Sequence, residues 1–349
     1  MMKMKEYVAR RMLLTILIVI GLTFITFTLT RSMGDDPAVI YAGKEVMKLP
    51  VEAQEPFLAS IREQYHLNEP IYVQYYYFLG NLVQGDLGVS TQSDQPVTQD
   101  IIERFPATLE LISYAIIIAL FLGIMIGIIS AKKSDTWVDH GSRLLAIAGV
   151  SLPAFWVAVL FQMIFASNLG LFPSAGRASF RLLHVYPLQS VTGFYTIDSL
   201  ITGNFAVFAD SLWHLVLPAV ALATYPFGSI IRMTRATLLE VFEEDYIRAA
   251  KASGLPKKTI SSYALKNAMG PTITIAGLNF AYSLIGAFYI ELIFSWNGLG
   301  QYGGSAILTQ DYGAILGVTM TLGIFYVIVN LVIDILQTWV DPRIGLGES

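Results

Sequence analysis

The chain has 349 residues, of which 54% are apolar and only 14% are charged, against roughly 25% charged residues in an average soluble protein. A soluble protein of this length needs more charge to cover its surface, so the composition indicates a chain embedded in lipid. The formal net charge of −4 disfavours a nucleic-acid partner, and the absence of cysteine excludes disulfides, zinc–thiolate sites and cysteine nucleophiles.

Six charge-free stretches are long enough to cross a membrane, which takes about 20 apolar residues. They are residues 12–29, 111–131, 144–176, 211–231, 267–290 and 312–333. The third exceeds one span and is expected to emerge as a loop near Pro173. Two further stretches, 182–197 and 292–310, contain glycine, proline or polar residues and are predicted to be loops or segments lying at the interface. The sequence therefore predicts an all-α membrane protein with six transmembrane helices.

The charges around the spans predict an orientation. Basic residues precede the first span and no small-residue cleavage site follows it, which favours an uncleaved anchor over a secretory signal. Lysine and arginine near a span tend to stay in the cytoplasm. If both termini are cytoplasmic, 15 of the 22 Lys and Arg residues lie inside. The N-in, C-in orientation is therefore predicted.

The spacing of the spans divides the chain into three parts. We expect an N-terminal anchor helix over 1–31, an extracytoplasmic insertion over 32–103, and a core of five helices over 104–349 that includes a cytoplasmic loop at 236–270. The insertion should itself be helical, because two apolar stripes recur at helical spacing. These stripes are Phe57, Leu58, Ile61 and Tyr65, then Ile71, Tyr75, Phe78, Leu79 and Leu82.

No enzyme motif is found in the chain. The four histidines form no metal-binding pair, and neither a G-x-S-x-G turn nor a phosphate-binding P-loop is present. No catalytic residue, metal or cofactor is therefore predicted, and the chain is not expected to hydrolyse a nucleotide itself. The middle of each span lacks acidic residues, which disfavours an ion-coupled secondary transporter, although backbone carbonyls also bind sodium in that class.

The segment 243–256 predicts a helix–turn–helix on the cytoplasmic side. Acidic residues at its start suit the positive end of a helix dipole, and Ala249 and Ala250 contribute to a small-residue surface that another protein can approach closely. Gly254 fits the left-handed position that ends a helix, and Pro256 fits the first turn of a second helix. The alternative is a loop whose basic residues serve only to orient the chain.

Polar residues inside the apolar stretches are candidates for a translocation path, because polar groups facing lipid are unfavourable. They are Gln162, Asn279, Tyr282 and Ser283, together with Glu291 at the end of the fifth span. The alternative is that they form hydrogen bonds between helices, each contributing about 0.6–2 kcal/mol.

A family resemblance extends over most of the chain. Residues 245–256 (D-Y-I-R-A-A-K-A-S-G-L-P) resemble the cytoplasmic E-A-A loop of ATP-binding-cassette (ABC) importer permeases. Further segments resemble the dipeptide/oligopeptide subfamily, and the long first outer segment and the D-P-R ending resemble its B-type permease. These segments are residues 7–14, 34–38, 65–75, 85–90, 104–111, 214–221, 232–235, 265–271, 291–300 and 340–343. Departures occur at Asn297, at Asp36 and at 269–270, where the family usually has other residues.

The resemblance implies the type I ABC importer permease fold in the cell membrane. It implies a heterodimer with a second permease, two ABC ATPase subunits that bind ATP and magnesium, and an extracytoplasmic binding protein that selects di- or oligopeptides or similar solutes such as oligosaccharides. The E-A-A loop would couple this chain to an ATPase. The coupling residues would be Asp245, Tyr246, Arg248, Ala249, Ala250, Lys251, Gly254, Leu255 and Pro256.

Overall fold

A computed structural model describes residues 4–32, 36–43 and 45–340 of the chain, and within these ranges it contains helices and no strand. Residues 34–35 and 341–343 of the sequence motifs lie outside the described residues. The first five helices are α1 (Met4–Ser32), α2 (Pro37–Ala42), α3 (Glu45–Lys48), α4 (Val51–Gln64) and α5 (Ile71–Val83). The next five are α6 (Val97–Lys132), α7 (Trp137–Ser151), α8 (Ala154–Phe161, continued by the π-helix Gln162–Asn168), α9 (Phe180–Val185) and α10 (Tyr195–Ile201). The last five are α11 (Phe205–Glu243), α12 (Asp245–Ala252), α13 (Lys257–Ile293), α14 (Leu299–Thr309) and α15 (Tyr312–Val340).

Five of the described helices, α1, α6, α11, α13 and α15, are long and apolar enough to span a membrane. The pair α7–α8 adds a sixth span if it is counted as one, but its two helices meet at an angle of 103°. The predicted third span is therefore broken into two helices. Pro153 explains the break, because proline cannot donate the helical hydrogen bond and forces the preceding Leu152 into extended backbone (φ −86°, ψ 128°).

The two ends of the helix bundle carry different structures. At one end, Arg11 near the start of α1 pairs with Asp334 near the finish of α15 at 3.0 Å. The same end holds α12, whose apolar side packs on the end of α11 and the start of α13 in a small hydrophobic cluster. We call this the α12 end. The opposite end, called the α14 end, holds α2–α5, α9–α10 and α14.

The core of the bundle forms around α11, which packs against α6, α7 and α13. Helices α7 and α11 approach closely where two glycines face each other. A Cβ atom on Gly149 would lie 2.7 Å from the carbonyl oxygen of Thr224, and one on Gly228 would lie 3.1 Å from the backbone nitrogen of Val150. Only glycine permits this separation, so the two helices are held backbone to backbone.

The insertion is helical, as both apolar stripes predicted. The stripe beginning at Ile71 forms α5, and the stripe beginning at Phe57 forms the second half of α4 and the turn that follows. Two aspartates join the end of the insertion to the core. Asp311, before α15, accepts hydrogen bonds from Ser90 Oγ (2.6 Å) and Gln92 N (3.0 Å), while Asp100 accepts one from Tyr302 OH (2.9 Å).

The glycine-rich stretch after the fifth span was predicted not to cross the membrane but to be a loop or a segment lying at the interface. It is not among the described helices that are long enough to span, but it is helical and not a loop. Leu299–Thr309 forms α14, and much of this helix is buried against α13 and α15. Its glycines permit this packing: a Cβ on Gly303 would already lie 3.1 Å from the side chain of Val318. The other excluded stretch, 182–197, contains only parts of the short helices α9 and α10.

Candidate functional site

Helix α12 is a short, sharply delimited element between two long helices. Glu244 has extended backbone (φ −64°, ψ 145°) and separates α12 from α11. At the other end Gly254 adopts φ 71°, and the N–H of Leu255 donates to the carbonyl of Ala250 (3.2 Å). Glycine is favoured there because a left-handed backbone strains other residues. Pro256 precedes Lys257, so the second helix of the predicted hairpin is the start of the 37-residue α13 rather than a short separate helix.

One side of α12 is buried and anchors the helix. Ile247 is fully buried and Ala250 is only 9% exposed, and both pack against Leu238 and Val241 of α11 and Ile260 of α13. Burial of Ile247 contributes about 1.5–3 kcal/mol to holding α12 in place. Ala250 was predicted to belong to a docking surface, but it faces the core of this chain.

The opposite side of α12 is open. Its exposed residues include Asp245, Tyr246, Arg248, Ala249 and Lys251, followed by Gly254, Leu255 and Pro256 in the turn. Arg248 and Asp245 form an ion pair at 3.4 Å, but their side chains are 66% and 98% exposed. Eight of the nine residues predicted to couple this chain to a partner therefore share one exposed surface at the α12 end, which we call the α12 surface.

A cavity of about 290 Å³ lies where α7 and α8 meet at their bend. Residues 150–154 at the helix break form one wall, Leu222, Tyr225 and Pro226 of α11 form the second, and Tyr282, Ser283 and Gly286 of α13 form the third. No charged side chain lines it. Two of the five predicted path residues, Tyr282 and Ser283, are thus brought together at one cavity.

The other three predicted path residues lie elsewhere. Gln162 donates from Nε2 to the carbonyls of Ser174, in a loop, and Ile293, in α13, both at 2.8 Å. The bond to Ile293 is the interhelical hydrogen bond of the alternative interpretation. Asn279 is 2% exposed, and no residue in the described part of the chain accepts a hydrogen bond from its Nδ2. Glu291 is fully buried, and its Oε2 accepts from the backbone N–H of Gly300 at 2.7 Å and of Gln301 at 3.2 Å.

Two ion pairs that join distant parts of the described chain through a buried carboxylate were not predicted from the sequence. At the α14 end, Arg177 donates from Nη2 to Glu110 at 2.6 Å and to the carbonyl of Gly193 at 2.7 Å. At the α12 end, Arg235 of α11 pairs with Asp139 of α7. The one sequence signal was the presence of charged residues at the margins of apolar stretches, and such residues are seldom fully buried unless paired.

The sequence of this chain matches two related family models. Residues 123–346 match the family model of the binding-protein-dependent transport system inner membrane component, and residues 4–112 match that of its N-terminal part. The chain belongs to this family. It is therefore a transport permease, a multi-pass protein of the cell membrane.

Individual relatives match the chain over nearly its full length. The probable D,D-dipeptide transport system permease protein DdpB of Escherichia coli K12 is 41% identical over 333 residues, covering 95% of each chain. The dipeptide transport system permease protein DppB of Alkalihalophilus pseudofirmus is 39% identical over 342 residues, covering 98% of this chain and 99% of its own. The oligopeptide transport system permease protein AppB of Bacillus subtilis is 34% identical over 343 residues with the same coverage. These matches confirm the ABC importer permease class and give no support to an ion-coupled transporter.

Proposed function

We propose that this chain is one of two permease subunits of an ATP-driven importer of di- or oligopeptides. The observation that carries the proposal is the α12 surface: a short helix held firmly by Ile247, exposed on its outer side, and connected directly to two spanning helices. The peptide substrate is supported by three relatives, which are permeases of D,D-dipeptide (probable), dipeptide and oligopeptide transport systems.

The α12 surface is proposed to dock on an ATPase subunit in the cytoplasm. The sequence contains no P-loop, so ATP and magnesium would be bound by two partner ATPases, and this chain would be neither an enzyme nor the holder of a cofactor. Closure of the ATPases on ATP would displace α12. Because α12 joins α11 to α13, and these two helices form two of the three walls of the cavity, the cavity would change shape when α12 moves.

The cavity at the α7–α8 bend is proposed to form part of the translocation path, completed by the second permease. Its aromatic and hydroxyl groups suit a peptide, because the phenol of Tyr282 offers both an apolar ring and a hydrogen-bonding group. An extracytoplasmic binding protein would deliver the peptide at the α14 end. In this arrangement both termini would lie in the cytoplasm, which is the orientation that the distribution of basic residues predicts.

Reconstitution tests the proposal. The chain, a second permease and two ATPases are placed in proteoliposomes with a peptide-loaded binding protein and a labelled dipeptide. Uptake should require ATP and should be unchanged when ionophores collapse the ion gradients. Uptake that persists without the ATPases, or that stops on adding ionophores, would refute the ATP-driven mechanism.

A substitution pair tests the docking surface separately. Ala249→Trp adds bulk to the exposed face of α12 and should reduce ATP-dependent uptake at least tenfold, with an unchanged melting temperature. Ala59→Trp, on the exposed face of α4, is the matched control and should retain uptake. Normal uptake by the Ala249→Trp variant would mean that the α12 surface does not contact the ATPase.

A further inference from the structure

Helix α5 of the insertion has no charged residue. Besides Gln74 and Asn81, its sequence, Ile71–Val83, consists of five aromatic residues, five aliphatic residues and one glycine. One of the aromatic residues, Tyr75, faces the core. The nearest charged residues on either side are Glu69 and Asp86. An uncharged helix of this kind is unusual on a domain surrounded by water, where the outer face of a helix carries polar or charged residues.

The inner face of α5 packs on α1 within its membrane-spanning part. The hydroxyl of Tyr75 donates to the carbonyl of Ile20 at 3.1 Å and lies 2.8 Å from Thr23 Oγ1. Its ring meets Phe24 edge-on at 5.5 Å and Phe27 at 5.3 Å. Phe78, one turn further along α5, also packs on Phe27, with a ring separation of 5.4 Å.

These contacts place α5 beside the apolar part of α1, closer to the middle of the bilayer than Arg31 at the polar end of that helix. Residues 12–30 carry no charge and are flanked by Arg11 and Arg31, and at about 1.5 Å per residue they cover roughly 29 Å, the thickness of the hydrocarbon core. Phe27 and Phe24, on which the rings of α5 pack, precede Arg31 by about 6 and 10 Å along the helix axis. Only the hydroxyl at the tip of Tyr75 reaches deeper, to the carbonyl of Ile20, about 16 Å from Arg31. Amphipathic helices that lie in a membrane surface are buried to the same depth as these two phenylalanines, roughly 5–10 Å.

The outer face of α5 is apolar, aromatic and uncovered. Tyr72 and Tyr76, one turn apart, are each 73% exposed, and Val83 is 87% exposed. The neighbouring surface of α1 continues the patch, since Phe24 is 54% exposed. Contiguous apolar surfaces of this kind mark contact with a membrane or another protein, and tyrosine is enriched where a membrane meets water.

We infer that α5 is an interfacial helix, with Tyr72, Tyr76 and Val83 inserted among the headgroups and upper acyl chains of the lipid leaflet at the α14 end. A water-soluble partner does not reach this depth beside α1. Contact with lipid would thus hold the insertion at the membrane surface, while the two aspartate contacts hold it to the core. This inference requires only that α1 crosses the bilayer, and it is independent of the transported solute.

The test exploits the absence of cysteine in the chain. Tyr76→Cys is labelled with a nitroxide in the assembled transporter, with cysteine-free partner subunits, in lipid nanodiscs. Collisions of the label with oxygen, which concentrates in lipid, are compared with collisions with a water-soluble nickel chelate. Ile16→Cys, on the exposed apolar face of α1, and Ser60→Cys, on the exposed face of α4, provide the lipid and water references.

The ratio of oxygen to nickel collisions at residue 76 should match that at residue 16 and exceed that at residue 60 several-fold. A ratio equal to that at residue 60 would overturn the inference by placing α5 in water. Low collision rates with both reagents would also overturn it, because they would mean that a protein subunit covers the face. If Tyr76→Cys does not assemble, Tyr72→Cys on the same face gives the same readout.

Discussion

Arg235 of α11 and Asp139 of α7 form a two-point ion pair, with Nε 2.6 Å from Oδ1 and Nη2 2.7 Å from Oδ2. Asp139 is fully buried, and its carboxylate also accepts hydrogen bonds from Ser130 Oγ (2.6 Å) and from the backbone N–H of Asp135 (3.1 Å). One carboxylate therefore joins the end of α6, the turn after it, and helices α7 and α11.

This ion pair connects the two candidate functional regions. Helix α11 runs into α12 through Glu244, and α7 runs to the break at residues 151–153 that walls the cavity. The pair fastens the two helices near the α12 end, and the contact of Gly149 with α11 fastens them again nearer the cavity. Helices α7 and α11 are consequently expected to move as one body when α12 is displaced.

Arg235→Gln should destabilise the protein and weaken coupling. It leaves Asp139 buried without its cation, and breaking a buried pair in this way costs about 3–5 kcal/mol. We expect a lower melting temperature in detergent, and, at a temperature where the variant remains folded, less peptide uptake for each ATP hydrolysed by the assembled transporter.

Two further variants test whether these effects come from the ion pair itself or from the loss of one positive charge. Arg143→Gln removes the same charge from the exposed surface of α7 and should leave both measurements unchanged. The double variant Asp139→Asn, Arg235→Gln removes the uncompensated carboxylate and should recover part of the melting temperature but not the coupling. Full recovery of uptake per ATP in the double variant would show that the pair only stabilises the fold.

Gly254→Val should disturb the turn after α12 through the backbone alone. A Cβ at this position meets no atom within 4 Å, yet φ is 71°, a conformation that costs a residue with a Cβ about 1–2 kcal/mol. The strain should loosen the α12 surface and reduce uptake, with faster amide hydrogen exchange in residues 245–256. Gly254→Asn is the matched control, because asparagine adopts this conformation more readily, and equal effects of Val and Asn would contradict the explanation.

The sequence predicts correctly those residues whose conformation depends only on their neighbours along the chain. Gly254 ends a helix by its own backbone preference, and the stripe from Ile71 to Leu82 forms α5 because its periodicity is helical. The residues that sequence analysis missed or misplaced depend on distant partners. Arg235 and Asp139 are separated by 96 positions and Arg177 and Glu110 by 67, while the burial of α14 depends on side chains of α13 and α15. Periodicity contains no information about which spans become neighbours.

Ser151→Trp should obstruct the proposed path without unfolding the protein. Ser151 is exposed at the α7–α8 break and lines the cavity of about 290 Å³, so an indole would occupy much of this space. We expect uptake to fall at least tenfold while the melting temperature stays within the range of ordinary surface substitutions. Gly141→Trp, on the exposed side of the same helix with open space around it, should retain uptake. Unimpaired uptake by the Ser151→Trp variant would place the path elsewhere.

The loop before α10 should be sensitive to acid through Asp198. Its carboxylate is fully buried and accepts hydrogen bonds from the backbone N–H groups of Val191, Thr192 and Gly193 and from Thr192 Oγ1. Burial alone would raise the pKa of Asp198, but these hydrogen bonds outweigh it, and the pKa of this group lies below its usual value. A carboxyl whose pKa is lowered by folding stabilises the folded state above its unfolded pKa, about 4, and loses that contribution as the pH falls through the folded pKa.

Asp198→Asn measures this contribution directly. At neutral pH the variant loses charge-assisted hydrogen bonds to buried N–H groups, so amide exchange in residues 190–200 should be faster than in the unsubstituted protein. The difference in exchange rate should narrow as the pH falls below about 4, where the carboxyl of the unfolded chain becomes neutral, and should vanish only below the lower pKa of the folded carboxyl. Asp94→Asn, at an exposed turn of the insertion, should show no difference in this segment at either pH. If the difference in amide exchange rate between the Asp198→Asn variant and the unsubstituted protein is the same at every pH, the aspartate acts through its shape and not through its charge.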